Sequence, residues 1–189
     1  MKPLHVIAAA VAATSLWVVA AESVGKLPPP WFVSGDHASS YQAGIDNVET
    51  TSGKGAKFLR YAQGEDKGYA SLVQVISAQR YLGQRVRFRA MIKTRNVSNW
   101  AGLWMQVQGK QRENAAFYNS GDRPIKGTTG WQSRSVTLDV PEDGTTIGFG
   151  VINSGSGQVW IDELSFEIVG KDVPVDVMPS SKLPEKPTL

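Results

Sequence analysis

The chain contains no cysteine. That removes thiol catalysis, a Cys-based zinc site and the lipid anchor of bacterial lipoproteins. It leaves export open, because a secreted domain with a large enough core needs no disulfides. Histidine is nearly as scarce, represented by His5 and His37. His37 sits in G-D-H-A-S-S (35–40), where Asp, His and Ser are too close along one loop to converge as a triad. There is no H-E-x-x-H, no phosphate loop and no Rossmann glycine fingerprint. An excess of one charge is also missing: 20 Lys and Arg stand against 17 Asp and Glu. Acids and bases interleave along the chain, which argues against a nucleic-acid partner. The carboxylates Glu65, Asp66, Asp143, Asp162 and Glu163 fall in turns or near a strand end. Nothing in their spacing suggests the pairing across a cleft that glycoside cleavage uses. No catalytic residue and no metal ligand is assigned.

Long apolar runs are limited to residues 6–21, about 16 residues against the ~20 of a membrane-spanning helix. Lys2 precedes the run and Val19-Ala20-Ala21 ends it, which is the pattern of a secretory signal peptide over 1–21. The expected location is periplasmic or secreted, with no stable membrane insertion once the segment is removed; an uncleaved anchor is the alternative. Residues 22–30 end in three prolines and read as an extended Pro-rich linker. From residue 170 the chain is polar, with Pro174, Pro179, Pro184 and Pro187, and reads as a disordered tail over 170–189.

The chain has nineteen glycines, and between these ends short alternating segments predict strands. The segments are 31–33, 41–48, 56–62, 69–76, 85–95, 100–108, 113–119, 132–140, 145–153 and 158–169. Turns at 51–55, 141–144 and 155–157 separate several of them, and 120–130 reads as a long irregular loop. A short helical turn over 77–82 is the one helix candidate in the body. Such spacing predicts an all-β fold, an antiparallel β-sandwich over 31–169. In 85–95, Val86, Phe88, Ala90 and Ile92 face one way, while Arg85, Arg87, Arg89 and Lys93 face the other. With Arg95 these bases form either a phosphate-binding stripe or a solvated outer face. No aromatic interleaves with them, which favours the outer face.

The segment W-A-G-L-W-M-Q-V-Q (100–108) stands apart. Ala101, Leu103, Met105 and Val107 face a core, yet the opposite face carries Trp100 and Trp104 beside Gln106 and Gln108. Solvated strand faces normally carry Lys, Glu, Thr or Ser. Indoles among amides suit a ring-bearing ligand or a sugar; the competing reading buries them beneath a loop. In 145–153, Gly148 and Gly150 share the non-core face and would leave a shallow trough. The candidate ligand-binding set is Trp100, Trp104, Gln106, Gln74, Asn119, Arg123 and Asn153. Trp131 and Trp160 are assigned to structure.

The segments S-G-K-G-A-K-F-L (52–59), Y-L-G-Q-R-V-R-F-R-A (81–90), W-A-G-L-W-M-Q-V (100–107), D-R-P-I-K-G-T-T-G-W (122–131) and G-Q-V-W-I-D-E-L-S-F-E (157–167) together carry a resemblance. They resemble the jelly-roll β-sandwiches of the carbohydrate-binding-module and galactose-binding-like group. The likeness is closest to an accessory domain of unsettled ligand in bacterial transcription regulators and exported hydrolases. It implies a jelly-roll fold and a non-catalytic role binding a small molecule or glycan; a protein partner is not specified. A cyclase or isomerase of small natural products on the same sandwich is the alternative, with Asp122, Asp162 and Tyr118 as acid candidates. The resemblance also raises a structural calcium. Asp162 matches its last-strand position, but the usual Asn- and Glu-containing opening is replaced by W-F-V-S-G-D (31–36). No cofactor is therefore assigned, and calcium stays open.

Overall fold

One long strand joins the two halves of the fold. Its continuity was not apparent from the sequence, where 85–95 and 100–108 read as separate strands. In the computed structural model, which describes residues 24–179, they form a single 25-residue strand, β6 (Arg85–Gly109). The expected signal segment over 1–21 and residues 180–189 lie outside the described residues. The strand changes partners at 96–99, where Asn96 adopts φ 53° and the pairing register slips. Its first half pairs with β10 (Gln158–Val169) and β8 (Ile125–Asp139), and its second half with β9 (Gly144–Ser154) and β7 (Ala116–Asn119).

Further strands extend both sides: β4 (Ala56–Tyr61), β3 (Tyr41–Asp46) and β1 (Val24–Gly25) beyond β10, and β5 (Tyr69–Ser77) and β2 (Phe32–Ser34) beyond β9. Every pairing is antiparallel. The curled sheet is the jelly-roll sandwich expected. Its core takes Val86, Phe88, Ala90 and Ile92 from one half of β6, and Ala101, Leu103, Met105 and Val107 from the other. Leu59, Val159 and Ile161 meet Leu72, Ile147, Phe149 and Val151 across it. Period-two alternation along each strand is what places these side chains together.

Four local expectations need correction. Of residues 77–82, Ser77 ends β5 and the rest form a bend and turns rather than a helix; Tyr81 N–H donates to the Ala78 carbonyl at 2.8 Å and Gly83 N–H to the Val140 carbonyl at 2.9 Å. The loop expected over 120–130 contains a short 3-10 turn, Ser120–Asp122, and the beginning of β8. Buried Ile125 opens β8 opposite Ala101, and Gly127 at φ 66° lets the strand follow the bend in β6. Within the presumed linker, Val24–Gly25 pairs with β3 and Leu27 packs on the core. Finally, the described part of the expected tail, 170–179, lies along the sandwich. Asp176 N–H donates to Thr137 O, the Asp176 carboxylate accepts from Thr137 N–H, and Val175 and Met178 pack on the core. The tail thereby caps hydrogen-bonding groups of an edge strand that would otherwise stand open.

The basic face of β6 is paired with acids on its neighbours. Arg85 meets Asp139 and Arg87 meets Glu167, each at 2.9 Å, and Lys93 meets Glu49 at 2.5 Å. Arg95 donates to Gln158 and lies 5.0 Å from the ring of Trp160. Trp160 itself is 1% exposed and donates to Asp46, with Trp131 packed beside it. The phosphate-stripe reading loses its basis, because most of these cations already have partners.

This pairing sets an acid dependence. The Arg85 guanidinium holds the Asp139 carboxyl at about 2, against 3.8 for the free group, aided by Lys171 and opposed by burial. A carboxyl lowered on folding stabilises above its unfolded pKa and loses that contribution as pH falls through the folded value. Stability supplied by this pair is thus expected to decline from about pH 4 to about pH 2. Asp139→Asn should be less stable than the parent at pH 6, and the gap should narrow as pH falls from about 4 and close only below about 2. Identical acid titrations of tryptophan fluorescence for the two proteins would contradict this.

Candidate functional site

The outer face of the β7–β6–β9–β5–β2 half has its side chains arranged in rows across the strands. One row runs Asn119, Trp104, Gly150, Val73, Phe32; the next holds Phe117, Gln106, Gly148 and Val75. On the other side come Gly102, Ile152, Ser71 and Ser34, then Trp100, Ser154 and Tyr69. Over these rows opens a cavity of about 460 Å³, lined by Trp100, Trp104, Phe32, Tyr69 and Phe117 with Gln106, Asn119, Ser34 and Ser71 among its polar groups.

Trp104 is the centre of this face. Its indole lies over Gly148, where an added Cβ would stand 3.3 Å from Cη2. Its Nε1 donates to Ser71 Oγ at 2.5 Å, and Ser71 Oγ donates onward to the Val151 carbonyl at 3.2 Å. The ring is therefore held in one orientation before any ligand arrives. It is half-buried and belongs to neither apolar core cluster, which counts against the reading that put the indoles beneath a loop. Gln106 donates to Glu113 O and Asn114 Oδ1, bracing the β6–β7 turn. Asn119 Oδ1 accepts from Gly121 N–H, so its side chain stands at a fixed edge of the cavity.

The structure thus gathers Trp100, Trp104, Gln106 and Asn119 and leaves three candidates elsewhere. Gln74 has the parity of Ala70 and Leu72 and lines a separate cleft with Phe88, Phe149 and Phe166. Asn153 is fully buried on the core side of β9 and donates to Gly157 O at 3.1 Å. Arg123 is a loop anchor: it pairs with Asp176 at 2.8 Å and lies over the Tyr118 ring. The glycines also act differently from the expected trough. The Trp104 ring occupies the space above Gly148, and the β5 backbone crowds Gly150, so neither lines the cavity.

Three aromatics were not anticipated, namely Phe32, Tyr69 and Phe117, exposed by 45, 40 and 37%. The alternation Tyr69, Ser71, Val73 against buried Ala70 and Leu72 was the signal for the second. Phe32 and Phe117 join only through the pairing of β2 with β5 and of β7 with β6.

Among the described residues, no charged side chain lines the cavity. The acid candidates of the cyclase reading lie elsewhere. Asp122 is exposed and accepts from the Tyr118 hydroxyl at 2.6 Å. Burial and then that hydrogen bond push the phenol up to about 12. Asp162 belongs to β10 in the other half. Among the described residues, no group of three or more His, Cys, Asp or Glu side chains is placed to hold a metal ion.

The strand order and pairing define an antiparallel jelly-roll β-sandwich, a fold shared with solved carbohydrate-binding modules. The CBM22-1 xylan-binding domain of Paenibacillus barcinonensis Xyn10C superposes with a TM-score of 0.54 at 11% identity, over 74% of this chain and 85% of that one. The C-terminal family 22 carbohydrate-binding module of Clostridium thermocellum Xyn10B gives 0.54 at 12%, over 76% and 88%. At such identities the likeness concerns the fold alone. No family model matches the sequence. In sequence, the chain is 41% identical over 145 residues to the uncharacterized HTH-type transcriptional regulator YbfP of Bacillus subtilis (strain 168). The match covers 76% of this chain and 49% of the regulator, so the chain spans about half the length of that relative. This agrees with the resemblance to an accessory domain of bacterial regulators.

Proposed function

We propose that this protein is a non-catalytic binding domain whose outer-face cavity takes a neutral glycan by stacking a sugar ring on Trp104. The observation that carries the reading is the preset indole of Trp104 in a cavity whose described lining is uncharged. A flat aromatic face matches the apolar face of a pyranose. Gln106 and Asn119 on one flank, with Ser34 and Tyr69 on the other, offer partners for its hydroxyls. A uronate, phosphate or sulfate would find no counter-charge there. The xylan-binding domain with the same sandwich fold adds to the plausibility of a glycan. The non-catalytic part rests on the described lining, which offers a bound substrate no carboxylate, imidazole or amine.

Few hydrogen bonds and an open cavity imply modest affinity, roughly millimolar to micromolar, or ~4–8 kcal/mol. A panel of neutral and acidic oligosaccharides, read by tryptophan fluorescence, tests the reading. Neutral glycans should saturate the signal and remain intact. If the panel is silent, or the bound sugar is consumed, the proposal fails.

We further propose that the domain works outside the cytoplasm. Support comes from the charged start, the apolar run and the small residues closing at Ala21. Protein recovered from periplasm or medium is expected to begin near Glu22 on N-terminal sequencing. Full-length material retained in membranes would overturn this.

A further inference from the structure

The resemblance places a structural calcium beside the last strand, where Asp162 stands. A calcium site is a cage of oxygen acceptors, from carboxylates, carbonyls and amide side chains. The surroundings of Asp162 have the opposite polarity. Its Oδ2 accepts from Thr50 Oγ1 at 2.7 Å, Thr51 N at 2.7 Å and Ser52 N at 2.9 Å. Its Oδ1 accepts from Ser52 Oγ and from Glu163 N, both at 2.8 Å. Three backbone N–H groups therefore converge on one carboxylate, and an N–H cannot ligate a cation. The Thr50 and Ser52 hydroxyls are turned to donate as well.

The backbone is shaped to the same end. Glu163 takes φ 49°, and the pairing of β10 with β6 slips between Asp162 and Ser165. This bulge aims the Glu163 amide at the carboxylate preceding it. Lys57, half-buried on β4, is close enough to feel the charge of Asp162. A cation entering here would meet amide hydrogens and a neighbouring ammonium.

We infer that the 50–52 turn is pinned to the last strand by the Asp162 carboxylate in place of a metal, and that this protein holds its fold without calcium. The carboxylate does mechanically what a calcium would do, joining the β3–β4 connection to β10. Burial alone would raise its pKa, but the Ser52 amide and the Thr50 and Ser52 hydroxyls outweigh burial and hold it well below the usual carboxylate range. The anion is thus strongly preferred in the folded state.

The test uses the full chain. Calorimetric titration with calcium chloride should show no saturable heat, and the melting temperature should be the same in EDTA and in millimolar calcium. Asp162→Asn puts an amide N–H₂ among donors and should lower the melting temperature by about 10 °C. Calcium should not restore it. Thr50→Val removes one hydroxyl donor and should cost a few degrees, again without response to calcium. It stands in should Asp162→Asn fail to fold. Saturable calcium binding with a rise in melting temperature would overturn the inference. So would an Asp162→Asn protein as stable as the parent, or a Thr50→Val protein rescued by calcium.

Discussion

Gly150→Ala is expected to cost at least ~3 kcal/mol of folding stability, at or beyond the upper end of ordinary overpacking. A Cβ built on Gly150 would stand 1.9 Å from the Leu72 carbonyl oxygen, 3.0 Å from its carbon and 3.3 Å from Val73 Cα. These are backbone atoms of the paired strand β5, so no rotamer change relieves the contact. Either β5 and β9 part locally or the register shifts, and both outcomes break the hydrogen-bonded row that carries the cavity. Gly148→Ala is the contrasting case. Its Cβ meets Trp104 Cη2 at 3.3 Å and Cζ3 at 3.6 Å, the far end of one side chain. The indole can lift, at a cost of under ~1 kcal/mol. Urea unfolding of the two variants decides the matter. Equal midpoints would mean that the β5 backbone yields more readily than its packing implies.

Trp104→Ala should weaken neutral-glycan binding by about 10- to 100-fold, from ~1–3 kcal/mol of lost stacking and apolar contact. The domain should still fold, because the ring lies outside both core clusters and the positions beneath it are small. Stability should fall by ~1–2 kcal/mol through the lost bond to Ser71 and lost burial. Trp104→Phe separates the two effects. It keeps an aromatic face but frees the ring from Ser71, so binding should be intermediate. Should Trp104→Ala unfold while no glycan binds the parent, Trp104 would be a core residue and the site would have to be abandoned.

The pairing of Arg123 with Asp176 illustrates why part of the site was not legible. The partners lie 53 residues apart, and nothing near Arg123 announces an acid in a segment that reads as tail. Gln74 failed for another reason. Both alternating sets of 69–76 mix polar and apolar residues, and choosing the wrong parity turns a strand over. Asn153 was misplaced against its own parity, since Ile147, Phe149 and Val151 already assigned that face to the core. Its burial follows that parity; what periodicity does not show is the acceptor, Gly157 O, that takes its amide N–H.

What the sequence determined by itself was local: the all-β class, the span of β10, and the outward face of Trp100, Trp104 and Gln106. Each follows from backbone pleat and hydrophobic alternation within a few residues, which need no knowledge of the rest of the chain. Tertiary structure decided which strands lie side by side. Only that order brings Phe32 and Tyr69 to the cavity with Trp104, sets the β5 backbone against Gly150, and surrounds Asp162 with donors from a turn 110 residues earlier in the chain. Strand order, charge pairing and backbone clearance depend on contacts between distant segments, and the period of a single strand carries no record of its neighbour.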